Sequence, residues 1–524
     1  MVRGEKMTSE GIIARLLTSR GLTKPQEVES FFRPPNPQDL PTPFDSQPAI
    51  DLINKHVKLN HKIAVYGDYD VDGICATAIL WETLYSAYKN VFPHIPHREA
   101  EGYGLSTSGI NHCLAKEAKL IIAVDNGIVA HDQIAYCQKN GCDIIIIDHH
   151  ESDGELPPAN VILHSVSACA TALTWFFCRQ LPPPYSLHPN SLELAAIATV
   201  CDIVPLLGTN RSIVKYGLEQ LQQTQRPGLL ALFEKAHIRP AQVGTYEVGF
   251  IIGPRLNAMG RLEHAIDSLR LLCTTSSSRA RELALILDST NRQRQTETEL
   301  SLNHALDKLA TLEPQGVLLS ADASYHQGII GLIAAKIVEK YWRPGLAVSI
   351  GETVSKGSGR SIPGFHLTNF LRQWPDLFMA LGGHAMACGF TIATNRIDDL
   401  SRVLETAVID PQLLVKKQRV DLDIPLSAVN LELCEKLNQL APFGLGNPTP
   451  LFQSVGEISD VKPVGDRGKH LKFKVDHLEA IWFNSPPGFQ SPTKAELIYS
   501  IEKDTWNGQE KLQLMVKEVK LAHE

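Results

Sequence analysis

The sequence predicts an α/β protein built from a parallel-sheet domain, a long connecting helix, a second α/β unit and a C-terminal β-domain. Three observations carry this reading. Between about 50 and 205, apolar β-branched runs alternate with helical periodicity, the signature of a parallel sheet with crossover helices. From Ser278 to Leu309 there is neither Gly nor Pro, which reads as one uninterrupted helix. After about 415 the apolar residues recur in period two between turn signals, which reads as short strands.

Taken in order, residues 1–45 hold a short amphipathic helix and a proline-rich connector, RPPNPQDLPTPF. Residues 46–275 form the first α/β domain, with a mainly helical last part, and residues 276–311 the connecting helix. Residues 312–412 form the second α/β unit, which opens on the strand GVLLSADA, and residues 413–524 the β-domain. In the last of these, Trp506-Asn507-Gly508 reads as a hairpin turn. A chain of 524 residues is too long for one core.

Composition narrows the class. The chain is 44% apolar and 20% charged, as ordinary globular proteins are. No apolar run approaches the ~20 residues of a membrane helix, and MVRGEKMTSEG lacks the core of a signal peptide, so a cytoplasmic protein with no membrane partner is expected. The ten cysteines show no C-x-x-C pair or zinc spacing. Cys75, Cys178, Cys201 and Cys273 lie in apolar stretches and read as small buried hydrophobes in a reducing compartment. The net charge of −7 does not advertise a nucleic-acid partner, but local patches govern such binding, and metal-binding carboxylates push the sum negative. No G-x-x-x-x-G-K-[ST] loop exists to hold ATP, which argues against a helicase.

The chemistry is concentrated where three strands end in acid. Lys62–Tyr66 runs into Gly67-Asp68-Tyr69-Asp70-Val71-Asp72-Gly73, Leu120–Val124 into Asp125-Asn126-Gly127, and Asp143–Ile147 into Asp148-His149-His150. Open parallel sheets bind ligands beyond the carboxyl ends of their strands, which gathers these acids and imidazoles around one crevice. So many carboxylates cannot share a crevice while ionised unless cations sit among them. Oxygen-rich ligation with one or two imidazoles suits Mn²⁺ or Mg²⁺ better than zinc. Asp202, in Ala198-Thr199-Val200-Cys201-Asp202-Ile203-Val204-Pro205, is a lone charge in an apolar setting and reads as a further ligand arriving from a helix end. Taken singly, Asp125-Asn126-Gly127 is also an ordinary turn, and an acid after a strand is often a helix N-cap. A calcium loop starting at Asp68 would need Glu at its twelfth position, where Ile79 stands.

GDYDVDG, VDNG, DHH and ATVCDIVPL, in this order, resemble the four motifs of the DHH phosphoesterase family. Gly382-Gly383-His384-Ala385-Met386-Ala387-Cys388-Gly389 is similar to the signature of the DHH-associated domain, with Cys388 where the family usually has Ala. Gly253–Arg261, Ser358-Gly359-Arg360-Ser361 and Ala441–Pro448 resemble the RecJ branch of that family, so the resemblance spans nearly the whole chain. It implies a DHH catalytic domain, a DHH-associated domain and a single-stranded-DNA-specific exonuclease of DNA recombination and repair. The implied reaction runs from 5′ to 3′ and releases 5′-mononucleotides by two-metal hydrolysis. Asp125 would bridge the two Mn²⁺ or Mg²⁺ ions, with Asp68, Asp70, Asp72, His149 and Asp202 completing the ligand shells. His150 would donate to the phosphate or the leaving oxygen, and Asp148 would orient a histidine. The implied partners are single-stranded DNA, single-strand-binding protein and a RecQ-type helicase, with the enzyme a monomer.

The expected path of the DNA follows the arginines. Residues 255–294 hold seven arginines against four acids, most of them suited to a solvated helix face. Arg255, Asn257 and Arg261 sit among Gly and Pro and read as a loop suited to a phosphate fork. Ser358 and Arg360, among glycines, read as an anion nest. By resemblance Arg98 completes a pocket for a 5′ phosphate, and His384 contacts the same strand or shapes a turn. In His470-Leu471-Lys472-Phe473-Lys474-Val475 the apolar and basic residues take opposite faces, and residues 462–474 carry five basic side chains against one acid. A basic, strand-rich module fits an OB-fold for single strands; the alternative is a lysine-rich edge that prevents aggregation. Competing functions are another DHH phosphodiesterase acting on short oligonucleotides and an inactive DNA-binding scaffold. The β-domain argues against the first and the full acid set against the second.

Overall fold

A computed structural model describes residues 7–152, 154–311, 316–465, 468–486, 488–489, 492–504 and 511–521. The chain divides into two compact units, one of residues 42–202 and 219–417, the other of residues 1–41, 203–218 and 418–524.

The larger unit holds two sheets. The first contains β1 (Lys62–Tyr66), β2 (Val91–His94), β3 (Ala118–Val124), β4 (Asp143–Asp148) and β5 (Val161–His164), all parallel in the order β2-β1-β3-β4-β5. Ile63–Tyr66, Leu120–Val124 and Ile144–Ile147 are fully buried, as strands covered by helices on both faces must be. The helix Val71–Ala87 is buried over nearly its whole first half, which explains why its sequence lacks a polar face there.

The connecting helix, Ser277–Ala310, starts at Ser276, whose hydroxyl accepts the Arg279 N–H. It buries Ala280, Leu283, Ala284 and Leu287 at one end, an i, i+3, i+4, i+7 stripe, and Ser301, Ala305 and Leu309, at i, i+4, i+8, at the other. The second sheet follows: β6 (Leu318–Asp322), β7 (Gly345–Ser349), β8 (Val354–Arg360), β9 (Ala380–His384) and β10 (Ala387–Ala393), in the order β6-β7-β8-β10-β9. Only its β6–β7 pair is parallel.

The smaller unit is a barrel. The short β11 (Leu422–Asp423) pairs with β12 (Phe452–Val464), which is followed by β13 (His470–Val475), β14 (Leu478–Trp482), β15 (Lys494–Asp504) and β16 (Lys511–Leu521). The order β12-β13-β14-β16-β15, closed by pairing of β15 with β12, is the five-stranded OB-like barrel expected from the sequence. Phe473 and Val475 point inward, as the alternation requires. The turn expected at Trp506-Asn507-Gly508 lies outside the described residues.

One assignment is corrected here. The N-terminal segment, read as separate from the β-domain, shares its core. Helix Ser9–Ser19 contributes Ile12, Ile13, Leu16 and Leu17 to the same apolar cluster as Phe452, Phe473 and Leu497. An amphipathic helix this short needs tertiary burial to persist, and the barrel supplies it. Arg211 fastens the third segment: its guanidinium lies 3.7 Å above the Phe31 ring and donates to the carbonyls of Phe31, Leu440 and Ala441. All ten cysteines are free, and Cys201 and Cys273 are half-buried where the others are buried. Among the described residues no helix is long and apolar enough to cross a membrane.

Candidate active site

Strands β1, β3 and β4 are neighbours, so the acids at their carboxyl ends converge. Asp68 follows β1 in a loop that only glycine permits: a Cβ on Gly73 would lie 2.5 Å from the Asp68 backbone N. Asp70 caps the helix Val71–Ala87, its Oδ1 accepting the N–H groups of Asp72 at 2.9 Å and Gly73 at 3.2 Å. Asp72, in the first turn of that helix, accepts the N–H groups of Ala170 and Thr171, both at 2.8 Å, where the helix Ala170–Cys178 begins. Asp125 adopts a left-handed backbone, φ 64°, which costs a non-glycine residue roughly 1–2 kcal/mol. Its N–H is anchored on the Ile147 carbonyl at 3.0 Å. Asp202 is the C-terminal cap of the helix Ser191–Cys201, the helix end expected for it.

Among the described residues, potential ligand atoms lie within 4.8 Å of one another in each of three sets: Asp68, Asp70 and Asp125; Asp72, His149 and Asp202; and Asp125, His149 and His150. The six expected ligands are therefore together, and Asp125 and His149 belong to two sets each. Both oxygens of Asp68, Oδ1 of Asp125 and Oδ2 of Asp202 are buried with no hydrogen-bond donor in bonding geometry. Burial, and then Asp70, push the Asp68 carboxyl up to about 8. Burial, with Asp72 and Asp70, does the same to Asp202, also to about 8. Burial and four neighbouring acids raise Asp125 well above the usual carboxylate range. Unpartnered buried oxygens in mutual repulsion fit divalent cations, and an oxygen-dominated set with imidazole fits Mn²⁺ or Mg²⁺.

Asp148 belongs to none of these sets. Its Oδ2 accepts the Ile128 N–H at 3.0 Å; its Oδ1 accepts the His149 N–H at 2.7 Å and the His150 Nδ1–H at 2.7 Å. Burial alone would raise this carboxyl, but the bonds from His150 and Ile128 hold it below the usual range. Burial would lower His150, yet Asp148 outweighs it and raises the imidazole to about 9. The other ring nitrogen, Nε2, lies 2.8 Å from the Tyr103 hydroxyl. Sequence reasoning missed Tyr103; its one signal was a tyrosine between glycines in Gly102-Tyr103-Gly104.

Tyr103 also lines a groove of about 640 Å³ with Tyr69, Arg98, Arg261, Lys356 and Arg360. Arg98 donates to the Gly260 carbonyl at 2.7 Å and stacks 4.0 Å from the Tyr69 ring. Burial, then the charges of Arg98, Arg294 and Arg360, push the Arg261 guanidinium down to about 10. An anion would relieve that repulsion. Lys356 is a groove cation that sequence reasoning did not single out.

Several expected placements change. Ser358 and Arg360 lie on β8, not in a nest; Arg360 donates to the Ser358 hydroxyl at 3.1 Å and the Gly359 carbonyl at 2.8 Å. Regular pairing with β7 and β10 straightens this glycine-containing stretch. Arg255, Asn257 and Arg261 lie on the helix Gly253–Leu262, not in a loop, because Pro254 occupies its first turn, where the missing N–H is harmless. Arg255 is engaged by Asp288 at 3.1 Å, and Asn257 accepts the Val71 N–H at 3.1 Å, bracing the acid-bearing loop rather than lining the groove. His384 is exposed at the end of β9, where its Nδ1 accepts the Met386 N–H at 3.3 Å, and it shares a cross-strand row with Ala387 and Arg360. In the barrel, Lys474 is paired with Asp460 at 2.8 Å, while His470 and Lys472 are half-buried.

Sequence models of three families match the chain: the DHH family N-terminal domain over residues 62–199, the DHHA1 domain over 314–410 and the RecJ OB domain over 420–518. Fold and site define a metal-dependent hydrolase of the DHH class. The single-stranded-DNA-specific exonuclease RecJ of Bacillus subtilis is 31% identical over 551 residues, covering 99% of this chain and 69% of that protein. RecJ of Salmonella typhimurium is 30% identical, covering 97% of this chain and 95% of that protein. The crystal structure of Thermus thermophilus RecJ in complex with Mn²⁺ matches with a TM-score of 0.84 at 26% identity, covering 100% of this chain and 79% of that one. The chain belongs to the RecJ family.

Proposed function

We propose that this protein hydrolyses single-stranded DNA from its 5′ end, releasing 5′-mononucleotides. The observation that carries the reading is the contact of Tyr103 with His150, which joins an acid cluster to a groove of cations. Asp68, Asp70, Asp72, Asp125, His149 and Asp202 would hold two divalent cations, Mn²⁺ or Mg²⁺, which when bound supply Lewis acidity and lower the pKa of water. The Thermus thermophilus relative is described in complex with Mn²⁺, which supports this choice. His150, fixed by Asp148, which favours its charged form, would give a proton to the leaving oxygen. Arg98, Ser358, Arg360 and the exposed His384 hold the 5′-terminal phosphate, whose extra charge distinguishes it from an internal diester.

In this reading residues 46–275 and 312–412, joined by 276–311, perform hydrolysis and end recognition, and residues 413–524 hold the strand. The enzyme works as a cytoplasmic monomer in recombination and repair beside single-strand-binding protein and a RecQ-type helicase; that part rests on family resemblance. Digestion of single strands labelled at either end, with Mn²⁺, Mg²⁺ and chelator compared, tests the reading. Release of the 5′ label first, abolished by chelator, is the expected result. Release from the 3′ end, or cleavage in chelator, overturns it.

A further inference from the structure

The residues Thr245–Glu247, a π-helical segment Val248–Ile252 and the helix Gly253–Leu262 follow one another without a break. Tyr246 and Phe250 project from this rod, 63% and 71% exposed, with ring centroids 5.1 Å apart and planes at 28°. A stacked pair this open adds little to any core, so packing does not account for it. Phe250 lies within the π-turn, which adds a residue per turn, a distortion found mostly at functional sites.

The same turns are seated against the end of the helix that presents Asp202. A Cβ on Gly249 would lie 3.7 Å from Val200, and one on Gly253 would lie 2.5 Å from the Cys201 Sγ. The Cys201 thiol donates to the Val248 carbonyl at 3.8 Å, and Asp202 is the next residue. Gly253 thus lets the rod lie against the end of the helix that presents Asp202, with the aromatic pair on the neighbouring turns. Farther along, Arg255 and Arg292 share the Asp288 carboxylate at 3.1 and 2.9 Å, which leaves one positive charge over. Flat apolar rings followed by surplus guanidinium charge match alternating bases and phosphates better than they match a protein surface.

We propose that Tyr246 and Phe250 form a stacking platform for bases of the single strand beside the acid cluster. This deepens the reading of the protein as a single-strand nuclease and rests on it. Stacking accepts every base, as a nuclease without sequence preference requires.

The test uses the full chain, with binding measured by fluorescence anisotropy in chelator. Two labelled strands are compared, one ordinary and one carrying abasic sites throughout. The Tyr246→Ser/Phe250→Ser double variant should bind the ordinary strand roughly 5- to 150-fold more weakly than the wild type, the equivalent of about 1–3 kcal/mol. On the abasic strand the two proteins should bind alike, and Tyr246→Phe should retain wild-type affinity for the ordinary strand. Equal affinity of wild type and double variant for the ordinary strand overturns the platform and leaves the rings to a protein partner. An equal loss on both strands also overturns it, since bases would then not be what the rings hold. A wild type that neither binds nor digests the ordinary strand refutes the nuclease reading itself, and the variants are not needed to see it.

Discussion

The hydroxyl of Tyr103 lies 2.8 Å from Nε2 of His150, whose Nδ1 is held by Asp148 at 2.7 Å. The imidazole is therefore fixed from both sides, by a carboxylate in the sheet and a phenol in the groove wall. Removing only the hydroxyl leaves the ring packing and frees one side. Tyr103→Phe should lower kcat about 10-fold and leave strand affinity within about 2-fold, by analogy with groups that orient catalytic histidines. Single-turnover rates and equilibrium binding separate the two effects. A variant with wild-type kcat would remove Tyr103 from the catalytic arrangement.

Asp125 belongs to two of the three ligand sets and stands in strained backbone. Asp125→Ala should abolish hydrolysis while strand binding through the groove survives. It should also remove the rise in Tm that Mn²⁺ gives the wild type, because a cation stabilises only the folded state that binds it. Near-normal turnover, or an undiminished Mn²⁺-dependent rise in Tm, would contradict the assignment.

Arg360 lines the groove from a strand and is braced by Ser358 and the Gly359 carbonyl. A 5′-phosphorylated strand should be digested faster than its 5′-hydroxyl counterpart, and Arg360→Ala should remove most of that preference. Loss of one charge-assisted contact of about 1.5–3 kcal/mol corresponds to roughly 10- to 150-fold in relative rate. Initial rates on both substrates at one salt concentration decide the matter. An undiminished preference in the variant would place end recognition elsewhere.

Arg226 is buried between two acids, bonded to Glu82 at 2.6 and 3.1 Å and to Glu193 at 3.1 Å. Glu82 lies on the helix that carries Asp72, and Glu193 on the helix that ends before Asp202. Arg226→Met would leave Glu193, fully buried, without its partner, a loss of about 3–5 kcal/mol. Denaturant unfolding should show it. The double variant Arg226→Met/Glu193→Gln should recover part of the loss, and an unchanged midpoint in the single variant would mean the pair contributes nothing net.

The acids were legible because of where they stand. Asp68, Asp125 and Asp148 each end a β-branched run, and Asp202 interrupts an apolar one, so pattern alone exposes them. Arg255 and Asn257 were misread for a local reason: Gly253-Pro254 signals a break in general but is compatible with a first helical turn. Tyr103 and Lys356 escaped because their significance comes from partners distant in sequence, His150 and the groove arginines, which only the fold supplies. The barrel could be read from its alternation, but not its debt to helix Ser9–Ser19, since an amphipathic face does not name what covers it.

That last packing arrangement sets an order of events on the ribosome. Ile12, Leu16 and Phe31 are made well before the strands that cover them, which emerge hundreds of residues later. The larger unit, by contrast, is interrupted in sequence only by residues 203–218, which belong to the smaller unit. The nascent chain therefore carries an uncovered apolar helix while all the residues between it and the barrel are made, the kind of long-lived exposure that recruits chaperones. A fragment beginning near residue 420, although it contains every barrel strand, would emerge missing part of its own interior.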